Sequence, residues 1–266
     1  MIINPIKRPL AFVLAASGHG TLIVNRNDWK IDETGGYGVG FQIMRTSFFD
    51  PEEVNDALTL LNFRRQFFGD GVVAFDCGAN IGVHTIEWAR FMHGWGSVVA
   101  IEAQERIYYA LAGNIAINNC FNATVINAAV GSAVGVMHIP NPDYLKPSSF
   151  GSLELKPREK NEFIGQPVSY DPEHCHQVPV VSIDSFNLPR LDFIKIDVEG
   201  MELDVLEGAK LAVAQHRPQM LIESIKSDKD EIIAFLESYG YDFFEAGINI
   251  LAVHSSDPTR DLVRKL

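Results

Sequence analysis

Cysteine is scarce in this chain: 266 residues contain three, Cys77, Cys120 and Cys175. An odd number at wide spacing excludes a disulfide framework and fits a reducing compartment, so a cytoplasmic location is expected. Positive charge is also in short supply, with 22 Lys and Arg against 34 Asp and Glu and a formal net charge of -12. Such a field repels nucleic acid unless a local basic patch overcomes it. The tight basic pairs are Lys7-Arg8, Arg64-Arg65 and Arg264-Lys265, and none is interleaved with aromatics. No apolar run reaches the ~18 residues that a membrane span requires. Leu10 to Ala16 behind Lys7-Arg8 loosely mimics a signal peptide, but Pro5 and Pro9 interrupt it. Zinc spacing is missing too: His174-Cys175-His176 are consecutive, and no second ligand pair follows them. These absences favour a soluble globular protein with a small or neutral substrate.

What is present is ordinary in composition, 47% apolar and 21% charged. Residues 1 to 50 read as hairpins and loops, with Leu10–Ala16 and Thr21–Val24 flanking a glycine turn. A helix is expected from Pro51 to Phe67, with Asp50 as N-cap and Glu53 closing a capping box. After Gly69-Asp70-Gly71 the pattern alternates. Val72–Phe75, Ser97–Ile101 and Ala123–Ile126 are short apolar strands, separated by helices over Gly82–Phe91 and Glu105–Asn118. Ile107, Leu111 and Ile115 recur every four residues on the second helix. Residues 140 to 177 break the rhythm with six prolines and read as a long insertion bordering an acceptor site. The alternation resumes with strand Phe193–Ile196, a helix over Glu199–Leu211, strand Met220–Ile222, a helix over Lys229–Tyr239 and a closing hairpin around Gly247. Strands alternating with helices predict an α/β fold with a mostly parallel sheet. Residues 1–69 form an N-terminal extension, and 70–266 the main domain. Trp88, Trp95 and the Phe pairs are assigned to the core.

The sharpest local signal is Asp76-Cys-Gly-Ala-Asn-Ile-Gly82, directly after the first alternating strand and opening a helix. Gly78, Ala79, Asn80 and Gly82 permit a tight turn and close backbone approach to a ligand, with helix N–H groups nearby. Dinucleotides and S-adenosylmethionine both use such turns. A pyrophosphate would be repelled by Asp76, and asparagine stands where G-x-G-x-x-G has its second glycine. The ammonium of S-adenosylmethionine can pair with Asp76, and its carboxylate with the helix N-terminus. Glu102 ends the second strand, where an acid can accept both ribose hydroxyls. Asn127 or Ala128 at the third strand end is a candidate for the adenine edge. Nicotinamide-dependent oxidation, or a catalytically inactive donor-binding scaffold, is the competing reading.

Asp76-x-Gly-Ala-Asn-x-Gly82, Asn114 with Asn118, Ala128-Ala-Val-Gly131 and Asp192-Phe-Ile-Lys-Ile-Asp-Val-Glu-Gly200 together resemble the FkbM family of methyltransferases. The resemblance spans roughly residues 70 to 225. It implies a Rossmann-like class I methyltransferase fold with strand order 3-2-1-4-5-7-6, and transfer usually to oxygen, on polyketide hydroxyls, sugars or glycolipid-type acceptors. Asp197 and Glu199 follow the fourth strand, where the carboxyl ends of strands border a ligand crevice. They are the candidate catalytic pair. Asp197 can act as general base toward an acceptor hydroxyl, or help hold a divalent metal, though no residue is assigned as a metal ligand. Glu199 can alternatively cap the next helix. His84, Ser148 and Ser149 are weaker candidates for contact with either substrate.

Overall fold

The computed structural model describes residues 9–32 and 35–263. The basic pairs Lys7-Arg8 and Arg264-Lys265 lie outside them. The chain opens with an antiparallel hairpin of β1 (Phe12–Ser17) and β2 (Gly20–Asn25), then a smaller one of β3 (Lys30–Asp32) and β4 (Gly35–Tyr37). Helix α1 (Val39–Thr46) follows, a helix not expected from the sequence. This stretch reads as loop in the sequence, and Gly40 is there because a Cβ would lie 2.5 Å from Asn25 O, leaving no room for a side chain.

Helix α2 (Pro51–Phe68) ends at Gly69, whose φ of 77° suits glycine. Its start corrects the capping box. Asp50 takes a left-handed backbone and makes no side-chain cap, while Glu53 turns away to Asn249 Nδ2 at 2.8 Å and His84 Nε2 at 3.1 Å. Tertiary pairing of a carboxylate with two partners outweighs one local N–H bond.

The alternating region forms β5 (Val72–Cys77), α3 (Val83–Phe91), β6 (Gly96–Glu102), α4 (Glu105–Ile117) and β7 (Ala123–Asn127). Next come β8 (Ala129–Val130), β9 (Gly135–Pro140) and, beyond the insertion, β10 (Cys175–Val181). These three make a separate small sheet, with β10 between the other two. The insertion is therefore bracketed by paired strands, and Cys175-His-Gln177 belongs to β10. The chain closes with β11 (Phe193–Ile196), α5 (Glu202–Glu207), α6 (Lys210–His216), β12 (Gln219–Glu223), α7 (Lys229–Ser238), β13 (Tyr241–Ala246), β14 (Asn249–His254) and α8 (Arg260–Val263).

The large sheet has seven strands in the order β7-β6-β5-β11-β12-β14-β13, which is 3-2-1-4-5-7-6 counted within the sheet. Its first five strands are parallel, and β14 runs antiparallel to both β12 and β13. This is the class I methyltransferase topology, as expected. β11 and β12 are buried at every position because helices cover both faces. One face packs on a cluster that joins Leu22, Val39, Ile43, Val54 and Leu60 to Val72, Ala74 and Trp88, so the N-terminal residues share the apolar interior of the sheet. Trp88 and Trp95 are buried as expected, whereas Phe48, Phe67 and Phe68 are about half exposed. Phe68 is covered instead by the Arg64 guanidinium, 3.9 Å from its ring.

Two asparagines explain part of the motif pattern. Asn114 accepts from Ile23 N (2.5 Å) and donates to Ile81 O (2.8 Å) and Ile23 O (3.2 Å), while Asn118 donates to Thr21 O. They fasten the first hairpin to α4 and to the Asp76–Gly82 turn. Asp192 is structural as well. Nearly fully buried, it accepts from Arg190, Arg64 and the Val73 amide. Arg64 also bonds Asp257 at 2.7 Å.

Candidate active site

The carboxyl ends of β5, β6, β11 and β12 open onto a cavity of about 300 Å³, within the range of small-ligand sites. Asp76, Gly78, Ala79, Asn80, Glu102, Ala128, Asp197 and Glu199 all line it. Asn127 and Gly82 do not. The Asn127 side-chain amide donates to Glu102 O (2.9 Å) and Ala103 O (3.1 Å), tying two strand ends together. Gly82 faces away, toward the Leu111 side chain.

The turn is built by close approach. Gly78 has a φ of 83°, and a Cβ there would overlap the carbonyl of Asp197. Only glycine lets β5 and β11 release their ends side by side. The turn's own N–H groups are spent inward: Gly78 and Ala79 donate to Ile101 O, Asn80 to Glu102 Oε2 and Ile81 to Asn80 Oδ1. The donors expected at the helix N-terminus lie at the start of α3, which no side chain caps. Val83 and His84 there line the cavity.

Glu102 accepts from the Asn80 amide at 3.0 Å and the Gln104 amide at 2.7 Å, one on each oxygen. Each oxygen keeps a second lone pair for a hydroxyl. Burial pushes its carboxyl up to about 7 against those two bonds, with Asp197 and Asp76 adding repulsion. Asp76 is 1% exposed and accepts from Thr85 Oγ1 at 2.5 Å, a fixed orientation supplied by the first turn of α3.

The segment after β11 differs from expectation. No helix begins at Glu199; α5 starts at Glu202, whose carboxylate accepts from Val198 N (3.2 Å) and Gly200 N (2.9 Å) and so closes the turn ahead of the helix. Glu199 itself takes a left-handed φ of 54°. That turns its carboxylate into the cavity wall, where it pairs with Lys226. Burial, followed by the Asp197 charge, holds the Glu199 carboxyl well above the usual range in spite of that lysine. Asp197 Oδ2 accepts from Lys195 Nζ at 2.6 Å. Burial alone would lower the Lys195 ammonium, but Asp197, Glu53 and Asp76 more than offset it and hold it charged.

Four contributors escaped the sequence reading. Lys195 stands in an apolar strand; that mismatch, and its place inside the Asp192–Gly200 motif, were its visible signals. Glu223 ends β12; burial, then Asp197 and Glu202, raise its carboxyl to about 8, and its Oε2 has no hydrogen-bond partner among the described residues. Glu53 lies across the cavity, where His84, Lys195 and Asn249 outweigh burial and hold it at about 2. Lys226 bridges Glu199 to Glu162 and Ser152 O of the insertion. From the insertion, Ser149, Gly151, Ser152, Leu153 and Leu155 reach the lining; Ser148 does not and instead donates to Ile164 O.

The family model of the FkbM methyltransferase domain matches residues 76–243, well over half of the chain. This chain belongs to the FkbM methyltransferase family. The matched stretch runs from Asp76 in β5 through Glu223 and into β13, so it carries every acidic strand end of the crevice. A relative is methyltransferase sdnD of Sordaria araneosa, 26% identical over 192 residues, covering 63% of this chain and 72% of that protein. Among solved structures, methyltransferase FkbM of Methylobacillus flagellatus is 19% identical with a TM-score of 0.47. That match covers 72% of this chain, which spans about half (48%) of the Methylobacillus chain. Precorrin-6y C5,15-methyltransferase of Geobacter metallireducens is 16% identical with a TM-score of 0.43, covering 79% of this chain and 92% of its own. Among the described residues no helix is long and apolar enough to cross a membrane.

Proposed function

We propose that this FkbM-family chain transfers the methyl group of S-adenosylmethionine to a hydroxyl oxygen of a small molecule, sugar or glycan. The observation that carries the reading is the acidity of the cavity wall. Seven carboxyl groups line it, from Asp50 and Glu53 to Glu199 and Glu223, against a single lysine, Lys195, and a cationic ligand favours their ionised forms. A pyrophosphate meets repulsion there, which disfavours a nicotinamide cofactor. A sulfonium carrying an ammonium meets attraction.

The residues fit the donor from two sides. Glu102 offers a lone pair on each oxygen to the ribose hydroxyls, and Ala128 flanks the adenine side. Asp76 faces the ammonium, and the uncapped N-terminus of α3 takes the donor carboxylate. Bound there, S-adenosylmethionine supplies a methyl group already activated on a sulfonium sulfur. Asp197 and Glu199 border the acceptor end, with Lys195 fixing the Asp197 carboxylate. With donor and acceptor bound, Asp197 would receive the hydroxyl proton as the acceptor oxygen is methylated and the carbon–sulfur electron pair stays on sulfur. Much of the acceleration comes from holding the reactants in line, worth roughly 7–11 kcal/mol when geometry is good. The insertion residues at the cavity rim select the acceptor.

Calorimetry with S-adenosylmethionine, its demethylated product and NAD, followed by labelled-methyl transfer to a panel of glycans, polyketides and phenols, tests the reading. Binding of the first two and label on a hydroxyl oxygen are expected. Asp197→Asn lowers kcat by about 10²–10⁴-fold with donor affinity nearly unchanged. Tight NAD binding with no response to S-adenosylmethionine overturns it.

A further inference from the structure

We propose that Asp197, Glu199 and Glu223 form a binding site for one divalent, oxygen-seeking cation at the adjoining ends of β11 and β12. One carboxylate oxygen from each lies within 4.8 Å of the other two. The three come from two neighbouring parallel strands, paired Ile196 to Ile222, so the sheet itself sets the spacing. Asp197 is one residue beyond the end of β11, Glu223 is the last residue of β12, and the left-handed turn at Glu199 brings its carboxylate back to them.

Proximity of acids alone does not make a cation site; Glu223 is the independent observation. It is 7% exposed, and its Oε2 is buried with no hydrogen-bond partner among the described residues. An unpaired carboxylate oxygen out of water is costly, and natural proteins seldom leave one without a partner or an ion. The two nearby lysines do not serve it. Lys195 bonds Asp197 Oδ2, and Lys226 bonds Glu199 Oε2 and Glu162. Each takes one oxygen of its carboxylate and leaves the other, so one oxygen per residue stays available.

The donor set is all oxygen and all carboxylate, which selects hard cations such as Mg²⁺, Mn²⁺ or Ca²⁺ over zinc or copper. Metal–oxygen distances of about 2.0–2.6 Å place three ligands of one ion roughly 3–4.5 Å apart. The three oxygens lie within 4.8 Å of one another, so a modest closing of the side chains brings them around one ion. The site faces the same cavity as Asp76 and Glu102. Its role rests on the methyl-transfer reading: a cation there would hold the acceptor oxygen beside Asp197 and acidify its hydroxyl.

The test is titration of the full chain with Mn²⁺, followed by electron paramagnetic resonance, with no donor or acceptor present. One Mn²⁺ per chain is expected, displaced by excess Mg²⁺ or Ca²⁺. Glu223→Gln keeps the shape, removes the charge and is expected to weaken Mn²⁺ at least about tenfold; Asp197→Asn serves as the second variant if the first does not fold. No Mn²⁺ bound at millimolar concentration, or equal binding by the folded variants, overturns the proposal. Calorimetry with S-adenosylmethionine on the same preparation separates the two readings. Donor binding without Mn²⁺ sinks the cation site alone. Mn²⁺ binding without donor binding upholds the cation site and sinks the methyl-transfer reading.

Discussion

Gly78 and Gly94 form a natural pair for measuring how closely the two central strands are obliged to meet. Their φ angles are 83° and 80°, so alanine at either position pays the same left-handed penalty, about 1–2 kcal/mol. Their surroundings differ. Nothing lies within 4 Å of a Cβ at Gly94, whereas one at Gly78 overlaps Asp197 O and sits 2.8 Å from its carbonyl carbon. Relief requires parting β5 from β11 at the point where Asp197 N donates to Cys77 O at 3.0 Å. Backbone displacement of that kind adds about 1–3 kcal/mol. Gly94→Ala should therefore lose about 1–2 kcal/mol and Gly78→Ala about 2–5 kcal/mol. For a chain of this length that is roughly 4 °C against 10 °C in melting temperature. Scanning calorimetry measures both. Donor affinity should fall for Gly78→Ala alone, because the displaced segment carries Asp197 and the ligand turn. Equal melting shifts for the two variants, with unchanged donor affinity, would refute the close-approach argument.

Two further outcomes follow from buried charge. Glu102 has its folded-state value raised from 4.5 to about 7, so its contribution is intact below 4.5 and lost as pH rises through 7, on the order of 3 kcal/mol for the ligand-free chain. Donor binding runs the other way, since ribose hydroxyls favour the ionised carboxylate: affinity should rise about tenfold from pH 6 to pH 8 and stay flat in Glu102→Gln, read by calorimetry. Asp192→Ala should cost about 1.5–3 kcal/mol, because it removes one of the two carboxylates on the buried Arg64 guanidinium and leaves Asp257 to hold it; a chemical-denaturation midpoint within error of the parent would contradict that role.

The large sheet was legible because its strands are short apolar runs between glycine turns, and burial on both faces leaves that imprint locally. The acids at Asp76, Glu102 and Asp197 were legible for a related reason: each interrupts the apolar pattern where a parallel strand ends. What escaped depends on distant pairing. The small sheet joins Gly135–Pro140 to Cys175–Val181 across the whole insertion, and neither segment announces its partner. Glu223 ends its strand much as Glu102 does, but its importance comes from Asp197 next door, a neighbour set only by strand order. The misread capping box at Asp50 and Glu53 shows the same limit, since local geometry gave way to His84 and Asn249.

The single carboxamide of Asn114 reaches both the first hairpin and the Asp76–Gly82 turn. The stretch that defines the family begins at residue 76, inside β5. A chain cut to that stretch would expose the apolar surface now shared with Leu22, Val39, Ile43 and Val54. It would also leave the buried Asn114 side-chain oxygen without the Ile23 amide. The recognisable part of this protein is thus smaller than the part that holds the Asp76–Gly82 turn in shape.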